Sequence, residues 1–182
     1  MTQRLLLTSF TTWLPEQQSN SSDDLLVELT KINSIAHNLI LLRGLPVDIE
    51  IASSQVMRKI STIQPECILC CGMAEKRTRL SIESNASSVA IFPEQLSDDF
   101  APKVKYTQVD LISLLAGIDS IDISHECGKF VCEGLYYSVL DYLERHQLNI
   151  PCIFIHVPIL TSNNRLQILE DFLLIIDRMA LS

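Results

Sequence analysis

The run Cys67 to Cys71, CILCC, is short and apolar on both of its faces. A strand of that kind belongs in the middle of a sheet with helices packed above and below it. The rest of the chain supplies both. Strand-like runs at Leu5 to Ser9, Asn38 to Leu42, Ile121 to Ser124 and Pro151 to Val157 alternate with helical patterns, the signature of an α/β fold. Leu80 to Ile91 adds one or two strands around Glu83. The polar stretch Pro15 to Asp24 reads as a loop whose Ser and Asp residues cap a helix starting near Asp24. Further helices are expected over Ser53 to Ile63, with Ser53 as N-cap, and over Val109 to Leu115 and Arg165 to Ala180. The clearest spans Phe130 to His146, where Val131, Leu135, Val139 and Tyr142 share a face. Phe92 to Lys105, with Pro93, Pro102 and several acids, reads as a surface loop. With no repeat or low-complexity linker, residues 1–182 are expected to form a single domain, a three-layer α/β/α sandwich with a mostly parallel mixed sheet.

A net charge of −8, a pI near 4.9 and no Lys/Arg cluster argue against a nucleic-acid partner. The longest apolar runs, such as Ile150 to Ile155 and Phe172 to Ile176, fall far short of the roughly 18 residues of a membrane span. The start, MTQRLLLTSF, is not a convincing signal peptide, so a cytoplasmic location is expected. Among the six cysteines, Cys67 and Cys70 have Cys-x-x-Cys spacing, but no second pair follows. They read, with Cys71 and Cys152, as buried core thiols. Neither disulfides nor a metal or other cofactor is expected.

Chemistry is concentrated in two segments. GKFVCEG, Gly128 to Gly134, places Cys132 at the start of the clearest helix. FIHVP places His156 at the end of a strand, 24 positions later. A helix N-terminus favours a thiolate, and an imidazole within reach can take the thiol proton. A third group, Glu83 in RLSIES, could orient that imidazole. Each has a plainer reading: Cys132 a core thiol, His156 a satisfied core histidine, Glu83 the solvent face of an edge strand. The constellation carries the argument. A rival trio, His125-Glu126-Cys127, cannot converge easily, because adjacent residues of an extended segment point to opposite faces. His125 is placed on a loop leading to Cys132, and His37 and His146 on the surface.

GKFVCEGLYY followed by IFIHVP resembles the active-site segments of the pyroglutamyl peptidase I (pyrrolidone carboxyl peptidase) family. LLLTSFTTW (Leu5 to Trp13), RGLPV (Arg43 to Val47) and CGMAEKRTRLSIES (Cys71 to Ser84) resemble further segments of that family, in the same order. The similarity runs from Leu5 to about Pro158. It implies a cysteine peptidase that removes an N-terminal pyroglutamyl residue from a peptide through a thioester. Cys132 would be the nucleophile, His156 the acid-base group and Glu83 its partner. The resemblance also implies oxyanion donors at the Cys132 backbone N–H and Arg77. Phe10, Trp13, Met73, Phe130 and Val131 would border the lactam. The implied partner is a peptide with a blocked N-terminus, and a homo-oligomer, dimer or tetramer, is expected.

The chain departs from the family pattern at several points. Ser9, Leu14 and Pro15 stand in a loop that is glycine-rich in the family, and Trp13 replaces a Phe. Met73 stands for the usual Gln, and Glu75 and Lys76 replace a Gly pair. Glu133 should raise the pKa of Cys132, and Lys129 should lower it. Glu83 and Cys132 are 49 positions apart, shorter than the family pattern, which assigns the missing length to the loop between Ser88 and Lys105. Two alternatives therefore stay open: a divergent hydrolase of another N-terminal acyl group, and a catalytically silent relative acting as a binding protein.

Overall fold

In the computed structural model, which describes residues 2–91, 102–128 and 130–181, six strands form one sheet in the order β2-β1-β3-β8-β4-β7. They are β1 (Arg4–Phe10), β2 (Asn38–Leu45), β3 (Cys67–Met73), β4 (Ser81–Glu83), β7 (Asp122–Ser124) and β8 (Cys152–Val157). All neighbours run parallel except β4 and β8, which are antiparallel. The expected mostly parallel mixed sheet is therefore present, with β3 and β8 wholly enclosed within it apart from the half-buried Met73.

Strand alternation divides the core into two layers. Leu5, Leu7, Leu69, Ile153 and Ile155 pack with the helices α1 (Ser21–Leu29), α3 (Leu111–Leu114) and α5 (Arg165–Met179). Leu6, Ile68, Cys70, Cys152 and Phe154 pack on the opposite face against α2 (Ile49–Ile63) and α4 (Val131–Arg145). Cys67 and Cys70 fall in different layers, so their Cys-x-x-Cys spacing points the two thiols to opposite faces. A second sheet pairs β5 (Asn85–Ser87) with β6 (Val104–Tyr106).

Several boundaries differ from expectation, and capping explains two of them. Helix α1 begins at Ser21, because the Asn20 side chain accepts the Ser22 N–H at 3.0 Å. Helix α2 begins at Ile49, capped by Asp48, whose Oδ1 accepts the Ile51 N–H at 2.8 Å. The expected cap, Ser53, is buried one turn inside. A carboxylate at the first position able to reach the open N–H groups wins over a hydroxyl further along. The expected loop from Phe92 to Lys105 ends in β6, which β5 recruits by antiparallel pairing; its residues 92–101 lie outside the described set. His37 is not a surface residue: its side chain is 11% exposed and faces Asp177 at 3.5 Å. His146 is exposed, as expected.

Candidate active site

The register of β8 assembles the site. His156 pairs with Gly72 of β3 on one side and with Ser81 of β4 on the other. Glu83 is opposite Phe154, two residues from His156, and therefore on the same face of the sheet. That diagonal brings His156 Nδ1 to 2.6 Å from Glu83 Oε1, with both side chains buried. The same oxygen is 2.8 Å from Arg77 Nη2. A carboxylate paired with a guanidinium can only accept, so Nδ1 carries the proton and Nε2 is the basic nitrogen. The Glu83 backbone carbonyl accepts from the Tyr136 hydroxyl at 3.2 Å, which ties β4 to α4.

Helix α4 descends on this corner with Cys132 in its first turn. Its N-cap, Phe130, is extended and offers no side-chain hydrogen bond to the helix start. Gly72 permits the approach. A Cβ there would be 2.6 Å from Cys132 Sγ and 2.9 Å from Phe154 Cζ. The sulfur thus rests on the backbone of the residue paired with His156. Among the described residues, no hydrogen bond joins the Cys132 thiol to the imidazole.

Burial, followed by the Glu83 charge, pushes the Cys132 thiol up to about 12, although its own backbone N–H pulls the other way. The helix end alone does not produce a thiolate here; desolvation wins. Glu133 is not the cause of that rise. Its Oε1 turns to β5 and accepts the Ser87 N–H at 3.1 Å. Lys129 lies outside the described residues.

The remaining candidates separate into two groups. Phe10 is in the core, 2% exposed, and Met73 ends β3 opposite Val157. Trp13 and Phe130 are exposed, with their rings tilted and their centres 6.3 Å apart, while Val131 is half-buried against the core layer under α2 and α4. Arg77 Nη2 also donates to Ser124 Oγ at 3.0 Å and to the Glu126 carbonyl at 3.2 Å, which pins the segment before α4. Elsewhere, clefts beneath β6 and α4 and beneath α3 and α5 contain none of these residues.

The departures in the first loop are mutually supported. Ser9 Oγ donates to Asp23 Oδ1 at 2.6 Å, and Arg43 grips the same carboxylate through two nitrogens at 2.9 and 2.7 Å. Gln17 Oε1 accepts the Trp13 N–H at 3.1 Å, while its amide nitrogen donates to Glu75 at 3.2 Å. Side-chain bonds between the two loops thus hold Trp13 in place.

Cys127 was missed. It is 4% exposed, and its sulfur belongs to a cluster with Glu83 and His156 whose ligand atoms all lie within 4.8 Å of one another. The trio with His125 and Glu126 indeed does not converge, since those two are exposed and His125 Nδ1 instead meets Ser84 Oγ at 2.7 Å. Cys127 alone turns inward, just before Gly128 at φ +92°. The glycine directly after Cys127 is the signal the sequence carries, because glycine marks turns at which strand alternation breaks.

Residues 3–171 match the family model described as pyroglutamyl peptidase. Pyrrolidone-carboxylate peptidase 1 of Caldanaerobacter subterraneus is 26% identical over 139 residues, 69% of this chain and 66% of that protein, so the match spans just under two thirds of its length. The pyrrolidone-carboxylate peptidase of Oceanobacillus iheyensis is 24% identical over 85% of this chain and 83% of its own length. Pyroglutamyl peptidase I from Bacillus amyloliquefaciens superposes with a TM-score of 0.82 at 19% identity, covering 99% of this chain and 98% of that one. The pyrrolidone carboxyl peptidase from Thermococcus litoralis gives 0.78 at 18%, covering 98% and 94%. At such identities the superpositions speak for the fold, and the match over residues 3–171 speaks for descent: this chain belongs to the pyroglutamyl peptidase family.

Proposed function

We propose that this chain is a cysteine peptidase that removes an N-terminal pyroglutamyl residue from peptides, with Cys132, His156 and Glu83 as its catalytic residues. The observation that carries the reading is the 2.6 Å contact between His156 Nδ1 and Glu83 Oε1, beside a glycine that seats the Cys132 sulfur. In the reaction, His156 Nε2 takes the thiol proton as Sγ attacks the pyroglutamyl acyl carbon. The carbonyl oxygen gains negative charge, met by the backbone N–H of Cys132 in the first turn of α4, where Phe130 supplies no side-chain cap. Arg77 adds positive charge to that environment while its Nη2 anchors Glu83. Collapse breaks the C–N bond, the imidazolium protonates the departing amine, and a thioester remains. Nε2 then deprotonates a water that attacks the thioester, releasing pyroglutamic acid and the protonated thiol.

The high thiol pKa makes His156 a true general base, since the proton must leave during attack. Glu83 fixes the ring and stabilises the imidazolium. Trp13 and Phe130 are assigned to the mouth of the lactam pocket, with Met73 and Val131 beside them and Phe10 supporting the loop from the core. A second reading, hydrolysis of a different N-terminal acyl group, is favoured by the Trp13–Phe130 pair, which places a larger ring than Phe at that mouth. Release of a fluorophore from a pyroglutamyl amide tests the first reading. Hydrolysis of other acyl amides but not that one would support the second, and hydrolysis of neither would make the protein a silent relative.

No described helix is long and apolar enough to cross a membrane. The six cysteines, all free thiols, support a reducing, cytoplasmic setting. Assembly into a dimer or tetramer is carried by the family relationship alone.

A further inference from the structure

Cys127 has no role in the proposed reaction, yet it is enclosed beside the residues that do. Its sulfur, a Glu83 carboxylate oxygen and a ring nitrogen of His156 lie within 4.8 Å of one another, and all three residues are buried. Tetrahedral zinc holds sulfur at about 2.3 Å and nitrogen or oxygen at about 2.0–2.2 Å, so its ligand atoms stand some 3–4 Å apart. The present spacing, up to 4.8 Å, is somewhat wider, so binding draws the three side chains together. Glu83 also has an oxygen to offer: Oε1 serves His156 and Arg77, while Oε2 is buried without a hydrogen-bond partner among the described residues. A buried carboxylate oxygen with no donor is an unmet acceptor, and a cation would satisfy it.

We propose that Glu83, Cys127 and His156 form a binding site for a divalent cation of the zinc class, whose occupancy switches the active site off. One thiolate, one imidazole and one carboxylate suit Zn²⁺, Co²⁺ or Cd²⁺ and disfavour Mg²⁺ and Ca²⁺, which take oxygen ligands. Binding releases the Cys127 thiol proton to solvent. A cation on His156 Nε2 occupies the base directly. A cation on Nδ1 displaces its proton to Nε2, with the same result. The Arg77 guanidinium, 2.8 Å from Oε1, repels the incoming charge and weakens affinity, which suits a reversible inhibitor better than a permanent structural ion. This site departs from the expectation of no metal, which rested on the Cys67 and Cys70 spacing. Its inhibitory half rests on the proposed reaction; the binding half does not.

The test titrates the reduced protein with Co²⁺ and Zn²⁺, following the thiolate-to-cobalt charge-transfer band and, separately, pyroglutamyl amide hydrolysis. One equivalent of Co²⁺ should give the band in wild type and in Cys132→Ala, and Zn²⁺ should abolish it by competition. Cys127→Ala should lose the band, hydrolyse normally without metal, and need at least about tenfold more Zn²⁺ for inhibition. Cys127→Ser, with far-UV circular dichroism on both variants, guards against misfolding and should behave the same way. A band that survives Cys127→Ala but vanishes in Cys132→Ala would overturn the proposal, as would equal Zn²⁺ sensitivity of wild type and both Cys127 variants. A Cys127-dependent band in a protein without hydrolase activity would overturn the proposed reaction and leave the metal site standing.

Discussion

Glu83 and His156 meet on a diagonal of the antiparallel β4–β8 pair, where Glu83 Oε1 accepts from the ring at 2.6 Å. The contact depends on β4 running opposite to β8, a reversal it shares with its parallel neighbour β7. Reversal sets Ser81 opposite His156 and leaves Glu83 two residues along on the same face. Glu83→Gln should therefore keep the fold while removing the charge that stabilises the imidazolium. The expected result is a fall in kcat of about 10³- to 10⁴-fold with little change in KM, measured by steady-state hydrolysis. A loss below tenfold would remove Glu83 from the mechanism.

Cys132 should titrate late. With its thiol at about 12, raised by burial and by Glu83, the thiolate fraction at neutral pH is very small. Alkylation by iodoacetamide should therefore climb about tenfold per pH unit through the alkaline range, with no plateau near neutrality. A plateau below pH 8 would mean a preformed thiolate–imidazolium pair. Glu133→Gln should leave the profile unchanged, because that carboxylate is turned to Ser87.

Much of this arrangement can be read from the residues alone, and the failures have physical causes. CILCC and CIFIHV announce central strands because both of their faces are apolar. Glu83 is legible as a strand residue, but its burial is not. Alternation with Ile82 looks the same whether the polar face meets water or a buried histidine. Ser53 loses to Asp48 because cap preference ranks residue types without fixing where the chain enters the helix. Cys127 falls with the rival trio because alternation assumes an extended segment, whereas this one ends in a positive-φ glycine.

Gly72 is the position where the fold yields to the site. An alanine Cβ would press on the Cys132 sulfur and the Phe154 ring at 2.6 and 2.9 Å. Gly72→Ala should cost about 1–3 kcal/mol of stability in denaturant unfolding. Displacing the sulfur by around 1 Å should lower kcat by about 10²-fold. Unchanged activity would mean that α4 does not seat Cys132 on β3.

Trp13 tests the pocket. It is 56% exposed and contacts the still more exposed Phe130, so Trp13→Ala should change stability by less than about 0.5 kcal/mol. KM for a pyroglutamyl amide should rise several-fold while kcat holds. An unaltered KM would place the lactam elsewhere.

The most direct test compares wild type with Cys132→Ser in the release of a fluorophore from a pyroglutamyl amide. The account predicts hydrolysis by the wild type and loss of at least about 10³-fold in the variant. A folded Cys132→Ser protein that retains full activity would contradict it.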